Sequence, residues 1–228
     1  MNDVPLVVVR GLAKTFTLHQ QGGLRLPVLA DVSFDAQAGA CVVLDGPSGT
    51  GKSTLMRCIY GNYRSDAGEI RVRSHDTVID VAHATPRDIL ALRRHTIGYV
   101  SQFLRVIPRV PALDIVAEPL LARGSDEATA HARAGELLER LRIPARLWPL
   151  PPATFSGGEQ QRVNIARGFA ARLPILLLDE PTAALDAENR RTVVSLVREA
   201  MAAGSAVIGI FHDAEVRDAL ATVRVPLQ

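Results

Sequence analysis

The residues best suited to chemistry fall in two short runs and at two isolated positions. The run GPSGTGKST spans 46–54 and contains Gly46, Pro47, Ser48, Gly49, Thr50, Gly51, Lys52, Ser53 and Thr54. Its spacing is that of a phosphate-binding loop, and its context agrees: it follows the apolar run CVVLDG (41–46) and precedes a helical pattern. Backbone N–H groups of such a loop point at phosphate oxygens, and the helix start adds positive potential. Glycines let the backbone close in. Lys52 is placed to reach β- and γ-phosphates, and the Ser53 hydroxyl to ligate Mg2+. The second run, ILLLDE at 175–180, supplies carboxylates. Asp179 ends an apolar stretch and emerges at the carboxyl edge of a sheet, where it can hold Mg2+ directly or through water. Glu180 follows as the candidate general base for an attacking water. Gln102 ends IGYVSQ and His212 ends VIGIFH in the same manner. Taken singly, each is equally a strand-end polar residue facing solvent or capping a turn. As a set they collect at the edge where α/β sheets bind ligands.

A third stretch, TFSGGEQQRVNIARGFA at 154–170, opens on Ser156, Gly157, Gly158 and Glu159 and runs into a helix. Two uses fit it. A glycine-rich helix start suits an anion. Ser156 and Glu159 also match S-x-x-E, a capping box that would need no ligand.

Buried strands alternating with helices must position these groups. The apolar runs at 41–46, 97–102, 175–180 and 205–211 read as strands of a largely parallel α/β sheet. Stretches 4–10 and 28–35 read as further strands, with a hairpin near Gly22 and Gly23 between them, and GEIRV and TVIDV as another pair. Helices are predicted from Lys52 to Gly61, from Glu159 to Arg172, and over 187–203, closed by Gly204; TVRVPLQ reads as an edge strand. Residues 103–158, rich in helix pattern and proline, read as a helical subdomain inserted in one domain spanning 1–228. A net charge of +2 leaves no strong field for nucleic acid or an anionic membrane. Cys41 and Cys58 lack a C-x-x-C spacing and read as buried, reduced thiols of a cytoplasmic protein. The opening MNDVPLVVVRGLAKTF carries Asp3 without a basic leader and reads as a strand, not a signal peptide. No apolar run reaches the roughly 18 residues of a membrane span, so a membrane role would require a partner chain.

Together these motifs resemble the nucleotide-binding domain of ABC ATPases: Walker A at 46–53, Q-loop at Gln102, signature SGGEQ at 156–160, Walker B at 175–179 followed by Glu180, D-loop AALD at 183–186, and H-loop at His212. The resemblance implies an α/β P-loop fold with a mostly parallel core sheet, an antiparallel β region and an inserted helical subdomain. It implies ATP and Mg2+ as cofactors, with Gln102 sensing the nucleotide beside the metal and His212 contacting the γ-phosphate. It also implies a head-to-tail homodimer, or a pairing with a second ABC subunit, in which Ser156, Gly157, Gly158 and Glu159 close over the partner's ATP. Phe16 matches the aromatic that stacks on adenine, or is a core Phe. Three positions depart from the family pattern: Phe155 stands where Leu is usual, Glu159 where Gln is common and Ala183 where Ser is frequent.

Within the family, FTLHQQGGLRLPVL, SQFLRVIPRVPALDIV, TFSGGEQQRVNIARGF and IGIFHD resemble ABC subunits of the bacterial carbon–phosphorus lyase pathway. That implies an ATPase subunit of a soluble phosphonate-metabolising complex, tied to methylphosphonate ribose triphosphate synthesis. Soluble lyase subunits would dock on 103–111 and around Trp148, with Phe103 and Leu104 as anchors and Arg105 and Arg109 as the rim. For Trp148 core packing is the alternative. The alternative function is the ATPase of a membrane transporter of the lipoprotein-release or macrolide-export kind.

Overall fold

The computed structural model describes residues 4–18, 20, 22–102 and 108–228. Five strands form a parallel sheet in the order β6-β7-β8-β3-β9: β3 (Cys41–Asp45), β6 (Ile97–Val100), β7 (Ile175–Asp179), β8 (Ala206–Ile210) and β9 (Val223–Pro226). An antiparallel sheet runs β2-β1-β4-β5, from β1 (Val7–Leu18), β2 (Leu24–Ala36), β4 (Ala67–Ser74) and β5 (Thr77–Asp80).

The parallel sheet is apolar on both faces, and alternate residues serve different cores. Val42, Leu44, Ile175, Leu177 and Ile208 pack with Val7, Val9, Ile70 and Val72 of the antiparallel sheet and with Leu55, Met56 and Ile59 of α1 (Lys52–Ile59). Cys41, Val43, Leu176, Leu178 and Val207 face the other way. They meet α3 (Ala112–Leu121), α4 (Glu127–Arg140), α5 (Gly157–Ala170) and α6 (Ala187–Ala202). That period of two along aliphatic strands makes them read as continuous apolar runs. Burial pushes the Cys41 thiol up to about 12 and the Cys58 thiol up to about 11, so neither is a thiolate at neutral pH.

The first two strands run longer than the apolar stretches suggest. Leu18 pairs with Leu24 across the hairpin, and shifts of register between Val9 and Thr15 break the alternation that would have marked a long strand. Two helices were not anticipated: α2 (Pro86–His95) and α7 (Ala214–Leu220). Helix α2 begins with a capping box between Thr85 and Asp88, with Pro86 at its first turn, a signal present in the sequence TPRD. Helix α5 begins two residues before the anticipated Glu159 and ends two before Arg172.

Candidate functional site

The phosphate loop joins β3 to α1. Its backbone needs glycine: Gly46, Gly49 and Gly51 have φ of 145°, 89° and 87°. A Cβ on Gly51 would stand 2.6 Å from the Val28 carbonyl oxygen, and one on Gly46 would stand 2.3 Å from that of Leu227. Gly51 caps α1 without a side-chain hydrogen bond, so no side-chain oxygen occupies the first N–H groups of this helix. The Lys52 side chain is buried, and its Nζ donates to the carbonyls of Gly46 at 2.7 Å and Pro47 at 2.6 Å. Among the described residues no carboxylate forms an ion pair with it. A buried ammonium held only by neutral carbonyls, beside uncapped N–H groups, is a cradle built for a polyanion.

Next to it, the Ser53 hydroxyl donates to Asp179 Oδ1 at 2.9 Å, bringing together two hard oxygen groups of the kind Mg2+ takes. Asp179 is buried at the end of β7. Its second oxygen, Oδ2, accepts from the Tyr99 hydroxyl at 2.8 Å. Burial, reinforced by the Asp179 carboxylate, pushes the Tyr99 phenol well above its ordinary value, so it stays a donor. Tyr99 was not singled out from sequence; the one available signal is a phenol in the otherwise aliphatic strand IGYV, next to the strand that ends in the acid.

Glu180 is held at both oxygens. Oε1 lies 2.6 Å from His212 Nε2 and Oε2 accepts from Gln102 Nε2 at 3.0 Å. Its side chain is 18% exposed and that of His212 50%. Its backbone has φ 52°, a left-handed conformation uncommon outside glycine. Gln102 is thus turned toward Glu180 and not toward Ser53 or Asp179. Lys52, Ser53, Gln102, Asp179, Glu180 and His212 gather at one sheet edge, with Pro47, Ser48, Thr50 and Thr54 in the loop and the first turn beside them.

Phe16 is half-buried on the antiparallel sheet, paired with Leu26 of the strand whose Val28 lies against Gly51 of the loop. Its ring meets Tyr63 edge-on at 5.3 Å, with the Lys14 ammonium 5.3 Å from its centre. The signature residues are separate from that cluster. Ser156 caps α5: its Oγ accepts from the Glu159 N–H at 3.3 Å, while the Glu159 carboxylate accepts from the Ser156 N–H at 2.9 Å and hydroxyl at 2.7 Å. Those two bonds, the hydroxyl first, hold the Glu159 carboxyl below the usual range. Among the described residues no hydrogen bond joins 156–160 to the phosphate loop. Trp148, anticipated at a docking face or in the core, lies over Gly135 and donates from Nε1 to the Ile143 carbonyl at 2.9 Å. Phe103, Leu104 and Arg105 fall outside the described residues.

The ABC transporter family matches residues 29–183. The chain is 42% identical over 192 residues to the lipoprotein-releasing system ATP-binding protein LolD of Maricaulis maris, covering 84% of this chain and 82% of that one. It is 36% identical to the macrolide export ATP-binding/permease protein MacB of Marinobacter nauticus, over 95% of this chain and 32% of that longer protein. Among solved structures it superposes on the ATP-binding cassette MJ0796, a dimer in a post-hydrolysis state bound to ADP and Pi, with TM-score 0.87 and 30% identity, covering 97% and 94% of the two chains. These relatives correct the narrower resemblance drawn from sequence. They favour transporter ATPases and give no support to PhnL, the carbon–phosphorus lyase subunit, or to soluble lyase partners.

Proposed function

The chain belongs to the ABC transporter family and is an ABC-type ATPase, and we propose that it serves as the ATP-binding subunit of a membrane transporter of the lipoprotein-release or macrolide-export kind. The observation that carries the hydrolytic part is the pair of carboxylates at one sheet edge, Asp179 bonded to Ser53 and Glu180 bonded to His212 and Gln102. In this reading Lys52 and the loop N–H groups neutralise the phosphates. Ser53 and Asp179 hold Mg2+, which when bound screens charge on the β- and γ-phosphate oxygens. Glu180 accepts a proton from the attacking water, and His212 keeps that carboxylate aimed at the γ-phosphate position. Each Glu180 oxygen is engaged by one neighbour, His212 or Gln102, and keeps a second lone pair for the attacking water. Gln102, bonded to Glu180, senses nucleotide occupancy and couples it to the partner surface. Ser156 and its turn serve the ATP held by a second copy packed head to tail.

The transport part rests on the relatives and on a groove of about 470 Å³ between α2, β6, α3 and α5. Leu90, 64% exposed, lines it together with Tyr99, Pro119 and Leu173, and its charged residues are Arg93, Arg94 and the Arg167–Glu118 ion pair. This face suits a short amphipathic segment of a permease. No helix of the described residues is long and apolar enough to cross a membrane, so the proposal gives the crossing to that partner. Affinity capture of the chain from detergent-extracted membranes brings down an integral membrane partner. Capture of only soluble proteins, equally well without detergent, would overturn the transporter reading. Replacing Glu180 by Gln lowers hydrolysis by about 10²–10⁴-fold and accumulates an ATP-bound dimer; unchanged turnover in that variant removes Glu180 as the base.

A further inference from the structure

The phenol of Tyr99 is engaged in a way that its strand position does not require. Strand β6 needs an apolar residue there to pack against its neighbours, and a phenylalanine would satisfy that need. The hydroxyl instead donates at 2.8 Å to Asp179 Oδ2, the oxygen that Ser53 leaves free. The ring is fixed on its other side. It lies 5.0 Å from Tyr60, and the Arg93 guanidinium sits 4.5 Å from the Tyr60 ring while Arg93 Nε donates to the Tyr60 carbonyl. The Arg57 guanidinium, bonded to Tyr63 at 3.0 Å, stands near the Tyr99 hydroxyl as well. A tilted contact with Tyr60, itself held by Arg93, and the neighbouring Arg57 therefore hold the hydroxyl against one carboxylate oxygen. Two torsions, χ1 and χ2, decide where a buried aspartate presents its oxygens, and a charge-assisted bond to one oxygen restricts them.

We propose that Tyr99 is a positioning residue for the divalent-cation site, orienting Asp179 so that its other oxygen and the Ser53 hydroxyl are presented together. This rests on the reading of Asp179 as a metal-holding group. Partners that orient a metal-ligating carboxylate are worth about 10–100-fold in metal affinity.

The test uses the full chain carrying Glu180→Gln, loaded with ATP, and follows binding of Mn2+ by electron paramagnetic resonance. Three chains are compared: this background, and the same with Tyr99→Phe or with Asp179→Asn. Tyr99→Phe keeps the ring and its contact with Tyr60, so the fold is retained, which thermal melting checks. The expected result is Mn2+ affinity about tenfold weaker in Tyr99→Phe, with ATP affinity in EDTA unchanged, and weaker still in Asp179→Asn. If Asp179→Asn weakens Mn2+ binding but Tyr99→Phe leaves it within about twofold, Tyr99 only packs and the proposal fails. If Asp179→Asn binds Mn2+ as the background does, the metal-holding role of Asp179 fails, and the proposal with it.

Discussion

The phosphate loop and the start of α5 are both glycine-bearing turns that feed a helix, yet they finish their helix ends in opposite ways. At α1 the cap is Gly51, which brings no side chain, and the neighbouring cation is a buried lysine held by neutral carbonyls. At α5 the cap is Ser156, and the Glu159 carboxylate already sits on the cap residue's own N–H and hydroxyl. The first turn is open to an anion. The second carries an internal carboxylate where an incoming one would bind. One helix start is therefore left without a side-chain cap, and the other closes its own cap through Ser156 and Glu159.

Glycine substitutions probe that contrast at its widest. Gly51→Ala places a Cβ against the Val28 carbonyl at a φ of 87°. It should cost ~2 kcal/mol or more and abolish ATP binding, read by thermal melting and by a fluorescent ATP analogue. Gly157→Ala meets no atom within 4 Å, so stability should stay within about 0.5 kcal/mol and binding should be untouched. Equal damage at both positions would erase the distinction between the two turns.

Substitution at Ser156 sharpens the contrast further. Ser156→Arg fills the exposed turn with a long cation. Hydrolysis should fall by at least about 100-fold while single chains still bind ATP, because the loss is one of assembly around a neighbour's nucleotide. Ser156→Ala removes only the cap, costing about 1 kcal/mol in urea unfolding. If Ser156→Arg hydrolyses normally per folded chain, the turn is a cap and nothing else.

The smallest effect is the pH dependence of the box. The Glu159 carboxyl lies below its ordinary value in the folded chain, so its contribution is fully present above the unfolded value of about 4.3 and fades as pH falls through the lower folded value. The urea midpoints of the wild-type chain and Glu159→Gln should therefore differ near neutral pH, and the gap should close only as pH falls from about 4.3 through the lower folded value. A gap that persists in acid would show that the carboxylate charge is not what closes the turn.

Much of this site is legible in sequence, for a physical reason. The phosphate loop is contiguous, and its spacing alone dictates which N–H groups converge. Asp179, Glu180, Gln102 and His212 are legible because each ends an apolar run, and parallel strands deliver their ends to one edge. Tyr99 escaped notice because its partner is 80 residues away and only the register of β6 on β7 brings them together. The long hairpin was cut short because a register shift disrupts alternation. Helix α7 was missed because seven residues show too little periodicity, although Asp213 caps it by accepting from the N–H groups of Glu215 and Val216. What favours a transporter over a soluble complex is overall likeness to relatives rather than any one motif.

The left-handed backbone of Glu180 has a consequence for how such a chain drifts under selection. At a φ of 52° almost any residue with a Cβ pays a conformational cost of about 1 kcal/mol, and glycine alone escapes it. If Glu180 is the base proposed above, that side chain occupies a site where its loss to glycine relieves the backbone. A lineage or a library screened only for heat resistance would tend to discard this residue first, keeping a well-folded cassette that binds ATP and no longer turns it over.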